Sequence, residues 1–260
     1  MSEESRFKAE VKANVDAIGR DEQLKQDTLD WMIRAGGDYK YSYNFAWMGR
    51  PIIQYPQDMV GMQELIWRIR PDLIVEMGIA HGGSLIFNAS MLALLEYSEA
   101  VESGKPLDPS QPARRVLGVD IDIREHNRAA IEAHPMSSRI DMIQGSSIDK
   151  DTVRQVREYA AGYETVLVIL DSNHTHEHVL AELEAYADLT SVGSYCIVFD
   201  TVVEDAPDKY FEDRPWGKGD NPKTAVWEYL KSHPEFEIDK EIENKLLITV
   251  APDGFLRRVS

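Results

Sequence analysis

With 260 residues the chain can hold one good α/β core plus decoration, and its length alone does not demand a second domain. Its 45 Asp and Glu against 28 Lys and Arg give a net charge of −17, which repels phosphate backbones and anionic lipid surfaces and argues against a nucleic-acid or membrane partner. No apolar run approaches the ~20 residues that span a bilayer, residues 1–19 show no hydrophobic signal core, and a cytoplasmic protein is expected.

Cys196 is the only cysteine, so neither an internal disulfide nor a thiolate metal cluster can form within one chain. Residues 5–35 show helical spacing, with Phe7, Val11, Val15 and Ile18 on one stripe, and predict two helices outside a central sheet. Residues 36–58 read as irregular and aromatic, through Tyr39, Tyr41, Tyr43, Phe45, Trp47 and Tyr55. Loops this long are uncommon unless they cover something, so a lid over a pocket, packing of an N-terminal arm and a subunit contact all stand open. The expected organisation is an arm and lid over residues 1–58, followed by the main domain over 59–260.

The apolar run Leu73-Ile74-Val75 leads into Glu76-Met77-Gly78-Ile79-Ala80-His81-Gly82-Gly83-Ser84 and then a helical pattern. Strand, glycine turn and helix make a nucleotide-site geometry, because glycines let the main chain approach a ligand closely. A dinucleotide site calls for Gly-x-Gly-x-x-Gly; here a strand-end acid precedes the first glycine, and three residues separate that glycine from the next. Glu-x-Gly-x-x-x-Gly favours S-adenosylmethionine over NAD. Glu76 would accept from the methionyl ammonium, with Gly78, Gly82 and Ser84 against the amino-acid portion. A tight turn that simply needs glycine is the plain structural alternative.

Further strands are predicted at Val116 to Val119, Ile140 to Ile143, Val166 to Leu170 and Tyr195 to Phe199, with helices near 84–97, 124–134, 149–161 and 176–188. This alternation predicts a Rossmann-like α/β fold, a mostly parallel sheet with helices on both faces and an N-terminal helical and aromatic extension. Ligands in such sheets bind beyond the carboxyl ends of the strands. There, Asp120 is the candidate for the ribose hydroxyls, with Asp122 supporting it or starting the next helix. Gly145, Ser146 and Ser147 are placed to admit and contact an adenine ring. Acids, serines and glycines at strand ends also cap helices, so each signal alone is weak.

The densest polar cluster is Asp171-Ser172-Asn173-His174-Thr175-His176-Glu177-His178. Asp171 and His174 can both face the cavity above the sheet, the acid as an anion or metal ligand and the imidazole as general base toward a hydroxyl. His176 and His178 are expected on the following helix. A zinc hydrolase built on His174 and His178 lacks the His-Glu-x-x-His arrangement. Asp200 ends the next strand and would stand beside Asp171 if the two strands are neighbours. Two carboxylates facing one cavity repel unless a cation lies between them, and Mg²⁺ is the natural choice.

Tyr43-Asn44-Phe45, Gly49-Arg50-Pro51-Ile52-Ile53-Gln54, Gln63-Glu64-Leu65-Ile66-Trp67, the glycine turn, Gly118 to Asp122, Asp171 to Thr175 and Gly254 to Arg258 together resemble the cephalosporin hydroxylase family. That resemblance implies a class I S-adenosylmethionine-dependent methyltransferase fold and O-methylation of a hydroxyl on a small sugar or natural-product acceptor. It also implies assembly as a homo-oligomer. More distantly the chain is similar to catechol and macrolide-sugar O-methyltransferases, whose Mg²⁺ ligands Asp171 and Asp200 match and whose Asp-x-x-base spacing His174 matches. One departure stands out: the family has Glu-Asp where this chain has Phe199-Asp200. Rescue by Glu204 or Asp205, a weaker metal site and metal-free catalysis all follow as options. The family name also implies β-lactam hydroxylation or methoxylation, and Phe199 leaves room for a non-catalytic cofactor-binding scaffold.

Overall fold

The computed structural model describes residues 2–260, beginning with two charged helices, α1 (Glu3–Arg20) and α2 (Glu22–Tyr39). Between them the Asp21 carboxylate accepts from Leu24 N at 2.9 Å and caps α2. The aromatic segment then forms a hairpin, β1 (Phe45–Trp47) and β2 (Arg50–Ile52). Its two-residue turn, Met48-Gly49, has positive φ at both positions, the backbone that a tight antiparallel turn between twisted strands requires. Helix α3 (Pro56–Ile69) follows, with its proline in the first turn, where a missing N–H costs nothing.

Thereafter strands and helices alternate: β3 (Leu73–Met77), α4 (Gly83–Ser103), β4 (Arg115–Asp120), α5 (Glu125–Glu132), β5 (Ile140–Gln144), α6 (Lys150–Ala160), β6 (Val166–Leu170), α7 (His176–Tyr186) and β7 (Tyr195–Val198). The chain closes with α8 (Pro222–Tyr229), β8 (Phe236–Ile238), α9 (Lys240–Leu246) and β9 (Phe255–Arg258). Among the described residues seven strands form one sheet in the order β5-β4-β3-β6-β7-β9-β8. The first five run parallel, and β9 lies antiparallel to both β7 and β8. The predicted strands therefore stand where expected. The hairpin, β8 and β9 are additions, and residues 36–58 are more ordered than their sequence indicates.

Strands β3 and β6 are buried along their whole length, as a sheet covered on both faces requires. Alternate residues feed two cores: Ile74 joins the one under α3 and α4, while Leu73, Val75 and Met77 join the one under α6, α7 and α8. Cys196 is fully buried in the second core, as a structural thiol. The chain winds outward from β3 through β4 to β5, then returns to β6 on the opposite side. That reversal opens a crevice at the carboxyl ends of β3 and β6, where ligands of such sheets bind. No helix among the described residues is long and apolar enough to cross a membrane.

Candidate functional site

The glycine turn leaves β3 at the mouth of this crevice. Gly78 has φ +96°, and a Cβ there would stand 2.0 Å from the Asp171 carbonyl oxygen, so any side chain would force the ends of β3 and β6 apart. Gly82, also at positive φ, precedes α4. Gly83 lacks a side chain for a different reason: a Cβ would lie 2.1 Å from the carbonyl oxygen of Pro51, where the N-terminal segment crosses the start of α4.

Two polar ties hold the turn. Asp120 Oδ2 accepts from Ile79 N at 2.8 Å and Ala80 N at 3.3 Å, while its Oδ1 accepts from Asp122 N at 2.9 Å. Three of the roughly four acceptor positions of this carboxylate are thus engaged with main chain, leaving about one for a ligand hydroxyl. From the other side, Arg50 Nε donates to the His81 carbonyl at 3.1 Å, and Asn127 links Arg50 to the Ala80 carbonyl. Asp120→Ala should therefore lower both Tm and cofactor affinity, the first by about 1–3 kcal/mol of stability, read by thermal melts and calorimetric titration. A loss of affinity at unchanged Tm would assign the residue to the ligand alone.

Glu76 is 2% exposed at the end of β3 and accepts from the Ser84 hydroxyl and from Asn88 Nδ2, the latter at 2.9 Å. Ser84 and Asn88 are one turn apart on α4, so both reach the same carboxylate. Burial pushes the Glu76 pKa up to about 8, with the Asp171 charge adding and the two donors opposing. The carboxylate lines a small cavity together with Gln54, Asn88, Asp171 and Phe199. A second small cavity runs along Gly78, Ala80 and His81 and shares Gln54, Ser84 and Asp171 with the first.

Leu170 pairs with Val198, so β6 and β7 are neighbours and deliver Asp171 and Asp200 side by side. Asp200 takes a left-handed backbone, φ 55°, as the chain leaves the sheet. His174 lies between the acids, with Nε2 3.6 Å from Asp171 Oδ1 and Nδ1 3.3 Å from Asp200 Oδ2. One ligating atom from each of the three residues falls within 4.8 Å of the others. Burial raises the Asp171 pKa to about 6, with the Asp200 charge adding and the His174 bond opposing. For His174, burial disfavours the charged ring, but the Asp200 charge and the Asp171 bond outweigh it, and the net pKa is raised. The Trp216 ring lies 4.8 Å from the imidazole, tilted by 57°.

Neither acid offered as rescue for Phe199 joins this group. Glu204 Oε2 accepts from Gly219 N at 2.8 Å and Asn221 Nδ2 at 2.5 Å, and Asp205 pairs with Lys223 at 2.5 Å. Phe199 itself is 3% exposed and gives the cavity an apolar wall. The His174–His178 zinc pairing does not form either. His174 precedes α7, and His178 Nε2 faces Ser147 Oγ at 3.0 Å and Glu182 Oε1 at 3.3 Å.

The residues expected to border an adenine ring are less open than the sequence indicates. A Cβ on Gly145 would lie 2.4 Å from Thr152 Oγ1, so this glycine serves the packing of α6. The Ser146 carbonyl accepts from Asp149 N at 3.0 Å in the turn before that helix. Ser147 is buried, with its hydroxyl on His178 and its carbonyl accepting from Tyr186. Ser172 donates to the buried Glu182 of α7 at 2.5 Å, and His178 carries the link from that acid on to Ser147.

Glu76, Ser84, Gly78 and Asp171 thus surround two adjoining cavities, and His174 and Asp200 stand beside Asp171. Sequence reasoning missed Gln54, Asn88, Arg50 and the His178–Glu182 pair. The available signals were the Ser84/Asn88 and His178/Glu182 spacings, each i,i+4 on a helix face. The aromatic segment packs as much as it covers. Tyr41 contacts Trp31, Phe45 and Tyr55, and Trp47 docks on Phe87 of α4, while Pro51, Ile53 and Gln54 wall the glycine-turn cavity.

The family model described as rhamnosyl O-methyltransferase/CmcI matches residues 39–259. A rhamnosyl O-methyltransferase of Mycobacterium tuberculosis is 29% identical over 231 residues, 85% of this chain and 83% of its own length. One from Mycobacterium leprae is 29% identical over 215 residues, 82% of each chain. An apo structure of CmcI superposes with a TM-score of 0.58 at 23% identity, covering 84% of this chain and 77% of that one. A CmcI structure described as a complex with Mg and SAM gives 0.56 at 21% identity, covering 84% and 78%. Likeness at that level carries the fold.

Proposed function

Because the chain belongs to the rhamnosyl O-methyltransferase/CmcI family, we propose that it is an S-adenosylmethionine-dependent O-methyltransferase acting on a hydroxyl of a sugar or sugar-bearing natural product. The observation that carries this reading is the convergence of Asp171, His174 and Asp200 beside the glycine-turn cavity at the reversal point of the sheet. The donor set suits both implied groups. Two carboxylates side by side, Asp171 and Asp200, fit a divalent cation with the imidazole left free as base, and a buried acid beside a glycine-lined cavity fits a cationic amino-acid end.

S-adenosylmethionine, when bound, supplies a methyl carbon activated by its sulfonium. A Mg²⁺ ion held by Asp171 and Asp200 would lower the cost of the developing alkoxide. His174 would take the proton of the acceptor hydroxyl, and the nearby acids would stabilise the imidazolium that results. The Trp216 ring shields one side of the imidazole from water. Glu76 would hold the cofactor's ammonium and so orient it within the cavity.

Incubation with S-adenosylmethionine and a rhamnose-bearing acceptor should accumulate S-adenosylhomocysteine and methylated sugar, with none from a cephem. The reverse pattern would move the assignment to β-lactam chemistry, and cofactor binding without turnover on any hydroxylated acceptor would make the protein a scaffold. Chelator treatment should lower the rate at least about tenfold, and added Mg²⁺ should restore it. An unchanged rate would remove the ion from the mechanism.

A further inference from the structure

The wall that the N-terminal segment adds to the site carries a feature that methyl transfer as described leaves unused. Gln54 is 9% exposed, and none of the described residues donates to its Oε1. Asn88, 2% exposed, gives Nδ2 to Glu76 and keeps a buried Oδ1 that likewise has no donor. Both line the cavity that holds the Glu76 carboxylate. Buried acceptors without donors are costly, and proteins seldom place them together without a ligand to satisfy them.

Three acceptors, one of them a carboxylate, therefore border one small space. A primary ammonium matches this set, with three N–H donors and a single positive charge. Water offers two donors and no charge, and an anion would be repelled by Glu76. Gln54 is held in place from outside the sheet. Arg50 fastens its segment to the His81 carbonyl, and the missing side chain of Gly83 lets the Pro51 carbonyl cross the start of α4.

We propose that Gln54, together with Asn88, completes the seat for the methionyl ammonium that Glu76 begins, so that the N-terminal segment reads the amino-acid end of the cofactor. This rests on the S-adenosylmethionine reading above. The side-chain carbonyls of Gln54 and Asn88 each accept one ammonium N–H and the Glu76 carboxylate takes the third. The cavity thereby distinguishes S-adenosyl compounds that keep their amino acid from those that lack it.

Calorimetric titration of the full chain with S-adenosylhomocysteine and with methylthioadenosine, which has the same adenosine and thioether but no amino-acid end, tests the assignment. Gln54→Met should weaken S-adenosylhomocysteine about tenfold and leave methylthioadenosine within about twofold. Gln54→Glu, nearly identical in shape and still an acceptor, should bind S-adenosylhomocysteine at least as tightly as the parent protein. Equal effects of Gln54→Met on the two ligands, no effect on either, or weakened S-adenosylhomocysteine binding by Gln54→Glu would overturn the proposal. Failure of the cofactor reading itself looks different: the unsubstituted protein would bind neither compound.

Discussion

Replacing His174 with Ala should lower turnover by about 10²-fold or more while S-adenosylhomocysteine affinity stays within about twofold. The imidazole is the group best placed for proton transfer beside the acids, and the two cavities at the glycine turn are lined by other side chains. A base must be unprotonated to act, and the two flanking acids hold the His174 pKa above its ordinary value. The rate of the unsubstituted protein should therefore rise with pH, and in the variant that rise should disappear. Added imidazole should recover part of the lost rate by entering the space beside Trp216. A structural role would leave the variant insensitive to imidazole, and unchanged turnover across pH would reject the base assignment.

Glu76→Gln should act with opposite signs on binding and on stability. Without the carboxylate the cofactor loses its buried counter-charge, and S-adenosylhomocysteine affinity should fall about 10²-fold. The ligand-free protein should gain stability at alkaline pH. The folded pKa of Glu76, about 8, lies above its ordinary value of 4.5, so the folded state binds more protons than the unfolded state between those limits. Stability from this group is full below about 4.5 and is lost as pH rises through 8. The variant should thus melt above the parent protein at pH 9, and the gap should narrow toward pH 5. Cofactor affinity of the parent protein should climb with pH below 8, by at most about tenfold per unit, because binding must displace the carboxyl proton. A melting gap that ignores pH would show that burial of this acid is not its cause.

The parallel sheet was legible because each of its strands is a short apolar run followed by a helical pattern, and the carboxyl ends of those runs are where Glu76, Asp120, Asp171 and Asp200 fall. The pieces that escaped lack such signals. Strands β8 and β9 are three and four residues long, too short for a period to show. The hairpin turns on Met48-Gly49, and methionine at positive φ gives none of the warning that asparagine or aspartate would.

At the site, the residue type was visible but the hydrogen-bond partner was not. Asp120 supports the turn through main-chain donors that no spacing reveals, and Ser147 turns toward His178 across two loops. Gln54 stands more than twenty residues before the motif it borders, on an element outside the alternation, so only the folded chain brings the two together.

The antiparallel strand β9 also affects the order in which the molecule can be completed. During synthesis β7 is made well before β9, and in that interval the strand that leads to Asp200 presents an unpaired edge. The half of the sheet around β3 and β4 waits on the same late segment, because Ile242, Ala251 and Phe255 pack into the core that also holds Ile74 and Val116. Pairing of β6 with β7 already sets Asp171 beside Asp200, so what the last-made strand adds is cover: until β9 docks, the acid-bearing side of the sheet keeps an open edge that invites pairing with another chain.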